Sequence, residues 1–513
     1  MTNDESSIRG AFIRHSSFVI RHSLLGGNRL LLFAVACLIY YAGRAPFIGQ
    51  WDSFDYLKQI VTHRLSDLGV GRPVFIGFNI VLWEFLRKIF RLVPLQVEGI
   101  AMAEIILLGA AGVLIFARLA RQLLPPAPCR LAVLALLLSP MYALYSGFVM
   151  TEVPMIVALI AAAVILWPSA SRHQILRDAA GGVMFGLAVG IREQAVTMGA
   201  AYLWILWSRR AGFSQRFRSI AGFLAAAAIV IVGPVVALYF YDPSAFVRRM
   251  QVWLQAIPTG QMHFWKNLQA SLLYTLAICP AAWLAALGAW INDRLPKRKR
   301  VSEVRVRDSQ HVNDSPVGSR ISAPVWGAIC CLLLPIAALW RDADVQIHPR
   351  YAMIALPAAL IFCASLYARW APSARAAVTW VVVHLVVFGI AQVGIQPFRY
   401  IQVERREYAR LVREAVPGEG LLIPGGYSPI MDYYRALGER PQWQILWSGW
   451  GWDSRTAETK IRNAWSRHIP VYLCEGPAGW LYFEDELLDL YFVFRHSKKD
   501  EAAPGLFLIH PGY

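Results

Sequence analysis

Two carboxylates stand three residues apart in Trp51-Asp52-Ser53-Phe54-Asp55-Tyr56-Leu57. On a helix that spacing puts both on one face. The aromatic residues at 51, 54 and 56 are of the kind that settles where hydrocarbon meets water. An acid held at that boundary can take a proton from a nucleophile attacking something delivered through lipid. Taken alone, the stretch reads equally well as an anchored helix with Asp52 as its cap.

Other ionisable residues at the ends of apolar runs shift that balance. They are Arg72 in Gly71-Arg72-Pro73, Glu152 in Thr151-Glu152-Val153-Pro154, the pair Arg192-Glu193, and His348, Arg350 and Tyr351 in His348-Pro349-Arg350-Tyr351. Charged groups are costly to keep at membrane depth, which makes each a candidate for function. Carboxylates and guanidiniums converging from several loops suit a phosphate handled beside an acid or base. Arg248, Arg249 and Lys266 stand in a longer polar loop and read as solvated charges. The histidines lack ligand spacing, so no metal is expected.

These residues need a membrane scaffold to hold them. Of 513 residues, 57% are hydrophobic and only 16% charged, which excludes a single soluble domain. A net charge of +17 would suggest nucleic acid in a soluble protein. Here the Lys and Arg fall in short loops between apolar runs, the pattern of cytoplasmic loops, so no nucleic-acid partner is expected. The seven cysteines lie mostly within apolar segments and form neither a disulfide framework nor a Cys-x-x-Cys site.

Apolar stretches run at about 29 to 46, 99 to 117, 131 to 147, 150 to 168, 179 to 191, 195 to 208, 219 to 241, 269 to 290, 325 to 340, 352 to 369 and 376 to 396. That is about eleven spans. An odd number puts the N-terminal segment 1–28 in the cytoplasm and the region 397–513 outside. The basic loops, Lys297-Arg298-Lys299-Arg300 among them, then all fall on one side. The stretch 74 to 92 is apolar at helical spacing but carries Glu84, Arg87, Lys88 and Arg91, and reads as a helix lying in the interface. Were it a span, every later basic loop would move outside.

The expected architecture is an α-helical polytopic membrane protein. It comprises a transmembrane catalytic domain, 29–396, with interfacial helices in an outer loop, 47–98, and a basic cytoplasmic loop, 292–324. Beyond it, apolar runs such as Leu421-Leu422-Ile423 and Val471-Tyr472-Leu473 alternate with helical stretches from Pro429 to Leu437 and from Thr456 to Trp465. That alternation predicts a small extracytoplasmic α/β domain over 397–513.

The order of these elements resembles the GT-C glycosyltransferases, in particular the branch with the protein O-mannosyltransferases and the lipid A aminoarabinose transferases. The likeness rests on Trp51-Asp52-Ser53, Arg72-Pro73, Ser139-Pro140, Thr151-Glu152-Val153-Pro154, the glycine-rich Gly186-Leu187-Ala188-Val189-Gly190-Ile191-Arg192, and His348-Pro349-Arg350-Tyr351 running to Pro357. Three departures stand out: Ser53 follows the first acid where the family often has a second, Glu152 replaces a commoner Asp, and Arg192 a commoner Lys.

The resemblance implies transfer of a sugar from a polyprenyl-phosphate carrier to a glycolipid, polysaccharide or protein acceptor at the outer face of the cytoplasmic membrane. No cofactor is implied beyond that lipid-linked donor. Asp52 would act as base, with inversion, and Glu152 would orient it or the acceptor, Asp55 being the other acid of the loop. Arg350, Arg192, Arg72, His348 and Tyr351 would hold the donor phosphate. A flippase for a lipid-linked sugar is the rival reading, yet inverted repeats are not visible. An assembly scaffold would leave Asp52 idle, and a GT-C-fold polysaccharide ligase or polymerase is a nearer alternative.

Overall fold

In the computed structural model the described residues are 29–45, 51–64, 72–167, 173–209, 212–244, 246–247, 250, 269, 273, 276–294, 325–331, 333, 349–370, 374–438, 442–446, 454–476 and 497–511. Among them, five helices are long and apolar enough to cross a membrane: Pro94–Leu123, Gln174–Ile191, Phe213–Tyr241, Ala352–Trp370 and Ala374–Pro397. Four shorter apolar helices accompany them, Arg29–Ala42, Pro126–Leu137, Glu152–Leu166 and Pro280–Ile291. The protein is a multi-pass membrane protein. Residues 295–324 of the basic loop and half of the stretch 325 to 340 lie outside the described residues.

The chain divides into two compact units. The first gathers Met1–Arg44, Val70–Phe75 and Ala103–Gly394. Its elements include α1 (Arg29–Ala42), α2 (Pro126–Leu137), α3 (Pro140–Tyr145), α4 (Glu152–Leu166), α5 (Gln174–Ile191), α6 (Gly199–Trp207), α7 (Phe213–Tyr241) and α8 (Leu356–Trp370). The apolar stretch expected at 195 to 208 starts as a 3-10 turn over Glu193–Met198 and continues as α6.

Glycines set the closest helix crossing. On α5 a Cβ at Gly182 would come within 2.2 Å of the Phe223 carbonyl oxygen, and one at Gly186 within 2.9 Å of the Ala227 oxygen, both on α7. Small residues four apart let the two backbones touch where lipid offers no hydrophobic drive for association. Aromatic donors tie the other helices. Tyr142 donates to the Gly109 carbonyl at 3.0 Å, Tyr202 to Leu159 at 2.8 Å and the Trp380 indole to Leu131 at 3.1 Å. In hydrocarbon such donors have no water to turn to, so a backbone oxygen takes them. At the C-terminal end of α4, Arg177 donates to the Trp167 carbonyl and Arg209 to that of Leu166. Those are carbonyls that a helix end leaves without internal partners. Arg209 is held in place by the fully buried Asp178 at 2.7 Å.

The second unit gathers Ala45–Gly69, Ile76–Met102 and Ile395–Tyr513. Its five-stranded sheet has the order β2-β1-β3-β5-β4, from Gly420–Ile423 (β1), Trp443–Ile445 (β2), Val471–Cys474 (β3), Lys499–Ala503 (β4) and Leu506–Ile509 (β5). β1 pairs in parallel with both β2 and β3, and β5 runs antiparallel to β3 and β4. Parallel neighbours need crossover helices. They are α9 (Ser428–Ala436) between β1 and β2, and α10 (Ser454–Ser466) between β2 and β3. The fully buried run at β1 and the alternating apolar face of α10, Ala457, Ile461 and Ala464, form one core with Val471, Leu473 and Ile509. Against α9 packs the helix Trp51–Thr62, here α11, which carries Asp52 and Asp55.

Candidate active site

In the first unit, three of the predicted residues meet. Glu152 opens α4, where a carboxylate is favoured by the positive end of the helix. It is fully buried, as is Arg192, which follows the last turn of α5 in extended conformation. The Arg192 guanidinium donates to Glu152 Oε1 at 2.7 Å and to Thr151 Oγ1 at 2.9 Å, while its Nε donates to Gln194 Oε1 at 2.9 Å. Arg350, in the 3-10 turn Pro349–Ala355, stands 3.8 Å from the same Glu152 oxygen and keeps 15% of its side chain exposed. The other oxygen, Glu152 Oε2, is buried with no hydrogen-bond partner among the described residues.

Packing of the surrounding segments explains why these groups converge. Gly147 lies so close to the end of α1 that a Cβ there would fall 2.6 Å from Arg44 Cα, which fixes the loop leading to Glu152. Gly190 meets Val74 in the same way, at 2.4 Å from Cγ2, bringing the Arg72-Pro73 turn beside the Arg192 end of α5. Arg72 itself is buried. His348 lies outside the described residues, and so does the side chain of Tyr351.

In the second unit, Asp52 lies in the first turn of α11 and is half-buried. Asp55, one turn on, is buried and committed. Gln59 donates to its Oδ2 at 2.6 Å, and Lys58 Nζ stands 3.1 Å from its Oδ1. Lys58 also donates to Asp432 Oδ2 on α9 at 2.9 Å, and Arg435 pairs with the other oxygen of that carboxylate. Burial works to lower the Lys58 pKa, but Asp55 and Asp432 outweigh it and hold the ammonium above the ordinary lysine value. The ring of Phe54 lies against Tyr433, centroids 5.9 Å apart, and Tyr433 donates to Glu98 at 3.0 Å.

Sequence reasoning missed Thr151 and Gln194 as partners of Arg192, and Lys58 and Asp432 altogether. The spacing of Asp55 and Lys58, three apart on a helix, was a usable signal for the first half of that arrangement. Nothing local to Asp432 announces the second. Among the described residues no cluster of three or more His, Cys, Asp or Glu has the arrangement of a metal site.

The architecture is that of the GT-C membrane glycosyltransferases. The family model for dolichyl-phosphate-mannose-protein mannosyltransferase matches residues 81–238, a stretch that contains both Glu152 and Arg192. The crystal structure of ArnT from Cupriavidus metallidurans bound to undecaprenyl phosphate superposes with a TM-score of 0.60 at 12% sequence identity, over 94% of this chain and 97% of that one. ArnT from the same organism in the apo state gives 0.57 at 13% identity, with the same coverage. No curated protein matches in sequence.

Proposed function

We propose that the protein is a glycosyltransferase that moves a sugar from a polyprenyl-phosphate donor to a glycolipid, polysaccharide or protein acceptor at the outer face of the cytoplasmic membrane. The observation that carries this reading is the buried cluster of Glu152, Arg192 and Arg350. It sets a buried carboxylate between two guanidiniums at the end of an apolar helix, the residue types that handle a phosphate beside an acid. The family-model match covers two of the three residues. The undecaprenyl phosphate held by ArnT is an anion of the required kind.

In the proposed reaction, the acceptor hydroxyl or amine attacks the anomeric carbon and gives its proton to Asp52. The bond from that carbon to the phosphate oxygen breaks with inversion, and the carrier leaves as a phosphate with one more negative charge. Arg350, the more accessible guanidinium, offsets that charge, with Arg72, His348 and Tyr351 as further donors. Arg192 acts at one remove, by fixing Glu152, whose Oε2 is left to accept a hydrogen bond from the acceptor. The reading needs no metal, because the leaving group is stabilised by arginine.

Mass spectrometry of envelope glycolipids, polysaccharides and glycoproteins tests this. Cells lacking the gene should lose one sugar from one class, with recovery on expression of the wild-type chain and not of Asp52→Asn. Identical glycan profiles with and without the gene refute the transferase reading. Sidedness is checked separately with Arg455→Cys and Gln310→Cys in intact cells. An impermeant thiol reagent should label position 455 and spare position 310, and the reverse pattern overturns the proposed orientation.

A further inference from the structure

The proton acceptor proposed above stands on a twelve-residue helix. A helix that short is marginal in isolation, so its placement must come from what it packs on. Within the second unit that support is α9, and it grips α11 through two adjacent residues. Tyr433 lies against Phe54, and Asp432 accepts from Lys58, one turn further along α11. Two contacts one turn apart fix both the height of a helix and its rotation about its axis. A single apolar contact would leave the rotation loose.

Lys58 carries most of the directional part. Its ammonium stands between two carboxylates that are nearly out of water, Asp55 at 6% and Asp432 at 3% side-chain exposure. Each oxygen of both acids is accounted for. Gln59 and Lys58 take those of Asp55, and Arg435 and Lys58 those of Asp432. Such a satisfied ionic network has one geometry. Displacing α11 by about 1 Å would part an ammonium from a buried carboxylate, and a shift of that size in a reacting group can cost roughly 100-fold in rate.

We propose that Lys58 is a positioning residue, bridging Asp55 and Asp432 so that α9 of the C-terminal α/β region sets where Asp52 stands. The C-terminal region is then part of the catalytic machinery through its grip on α11, whether or not it also binds acceptor. This rests on Asp52 being the base.

The test uses the full chain in lipid nanodiscs and in complemented cells, with Asp432→Asn, Lys58→Met and Lys58→Arg. Asp432→Asn leaves Lys58 paired with Asp55 and preserves size, so it folds even where Lys58→Met, which abandons two buried carboxylates, does not. Hydrogen exchange in peptides covering 51–62 should quicken several-fold in Asp432→Asn and stay unchanged over 454–466. The glycan product should fall about 10-fold in Asp432→Asn and recover nearly to wild type in Lys58→Arg, which keeps the charge and reaches both acids. Unchanged exchange over 51–62 overturns the proposal, and so does a Lys58→Arg variant as impaired as Lys58→Met. A silent Asp52→Asn removes the base assignment instead, and the exchange result still decides whether Lys58 ties α11 to α9.

Discussion

The two polar clusters differ in sign, in burial and in what holds them. Around Glu152 one acid faces two guanidiniums, and both Glu152 and Arg192 are out of water. Around Lys58, the acids Asp55 and Asp432 are balanced by Lys58 and Arg435, with Asp52 half-buried one turn away. The first sets two guanidiniums about a single acid, and the second sets a lysine between two acids. A glycosyl transfer needs both, an anion sink for the leaving phosphate and a proton sink for the acceptor. In both clusters the deepest acids are paired, and the residue proposed to meet substrate, Arg350 in the first and Asp52 in the second, is more exposed than those acids.

The sharpest way to break that comparison is Asp52→Asn, which keeps size and capping ability but cannot take a proton. Transfer should fall about 100-fold to 10,000-fold with folding intact. Asp55→Asn, whose carboxylate is already engaged by Lys58 and Gln59, should lose less. If Asp55→Asn abolishes transfer and Asp52→Asn does not, the roles within α11 are exchanged.

Arg192→Leu comes next, and its effect should appear in stability before chemistry. It takes the closer of two guanidiniums from a fully buried Glu152, and breaking a buried pair typically costs about 3–5 kcal/mol. The melting temperature in detergent should drop sharply, with partial recovery in the double variant Arg192→Leu/Glu152→Leu. A stable Arg192→Leu protein that has lost only activity would place Arg192 in contact with substrate.

Arg350→Ala should do the opposite, leaving the melting temperature close to wild type while weakening binding of undecaprenyl phosphate, measured in nanodiscs, by about 10-fold or more. Arg410→Ala, at an exposed surface pair on the long helix Ala374–Ala415, is the control and should change neither. Equal binding by the two variants removes Arg350 from the phosphate.

The smallest effect is in pH. The Lys58 pKa is raised in the folded chain, so its stabilisation is complete below the ordinary lysine value of 10.5 and is lost only as pH climbs past that value. Exchange over 51–62 should therefore be flat, after correction for intrinsic rates, from neutral pH to about pH 10. A rise beginning near pH 8 would mean that the two acids do not hold the ammonium.

Five of the expected apolar runs stand among the described residues as helices long enough to cross a bilayer, and they were legible because runs of that length leave little else to be. The grouping of charges at one end of the helices was legible from the order of the apolar runs. Glu152 and Arg192 could be placed at one end of successive helices on that ground, and they do meet. The strands at Leu421 and Val471 and the helices after Pro429 and Thr456 were likewise readable from local pattern, since each is a short apolar run or an amphipathic period. The composition change at residue 397 did not show that one helix, Ala374–Ala415, runs through it with Pro397 inside. A switch from apolar to polar side chains marks a change of surroundings and says nothing about whether the backbone bends. Asp432 was unreadable for a different reason. Its partner lies 374 residues away, and no pattern of local period or charge reaches that far.

That separation has a meaning in time as well as in space. A chain is made from its N-terminus at about 5–20 residues per second, so Lys58 waits roughly 20 to 75 seconds for Asp432 to be made. During that interval the helix with the proposed base exists without its grip. The proposed transfer is therefore expected only once residue 432 has been made, and a chain stopped before it should fill the membrane with helices yet show fast exchange over 51–62 and transfer nothing.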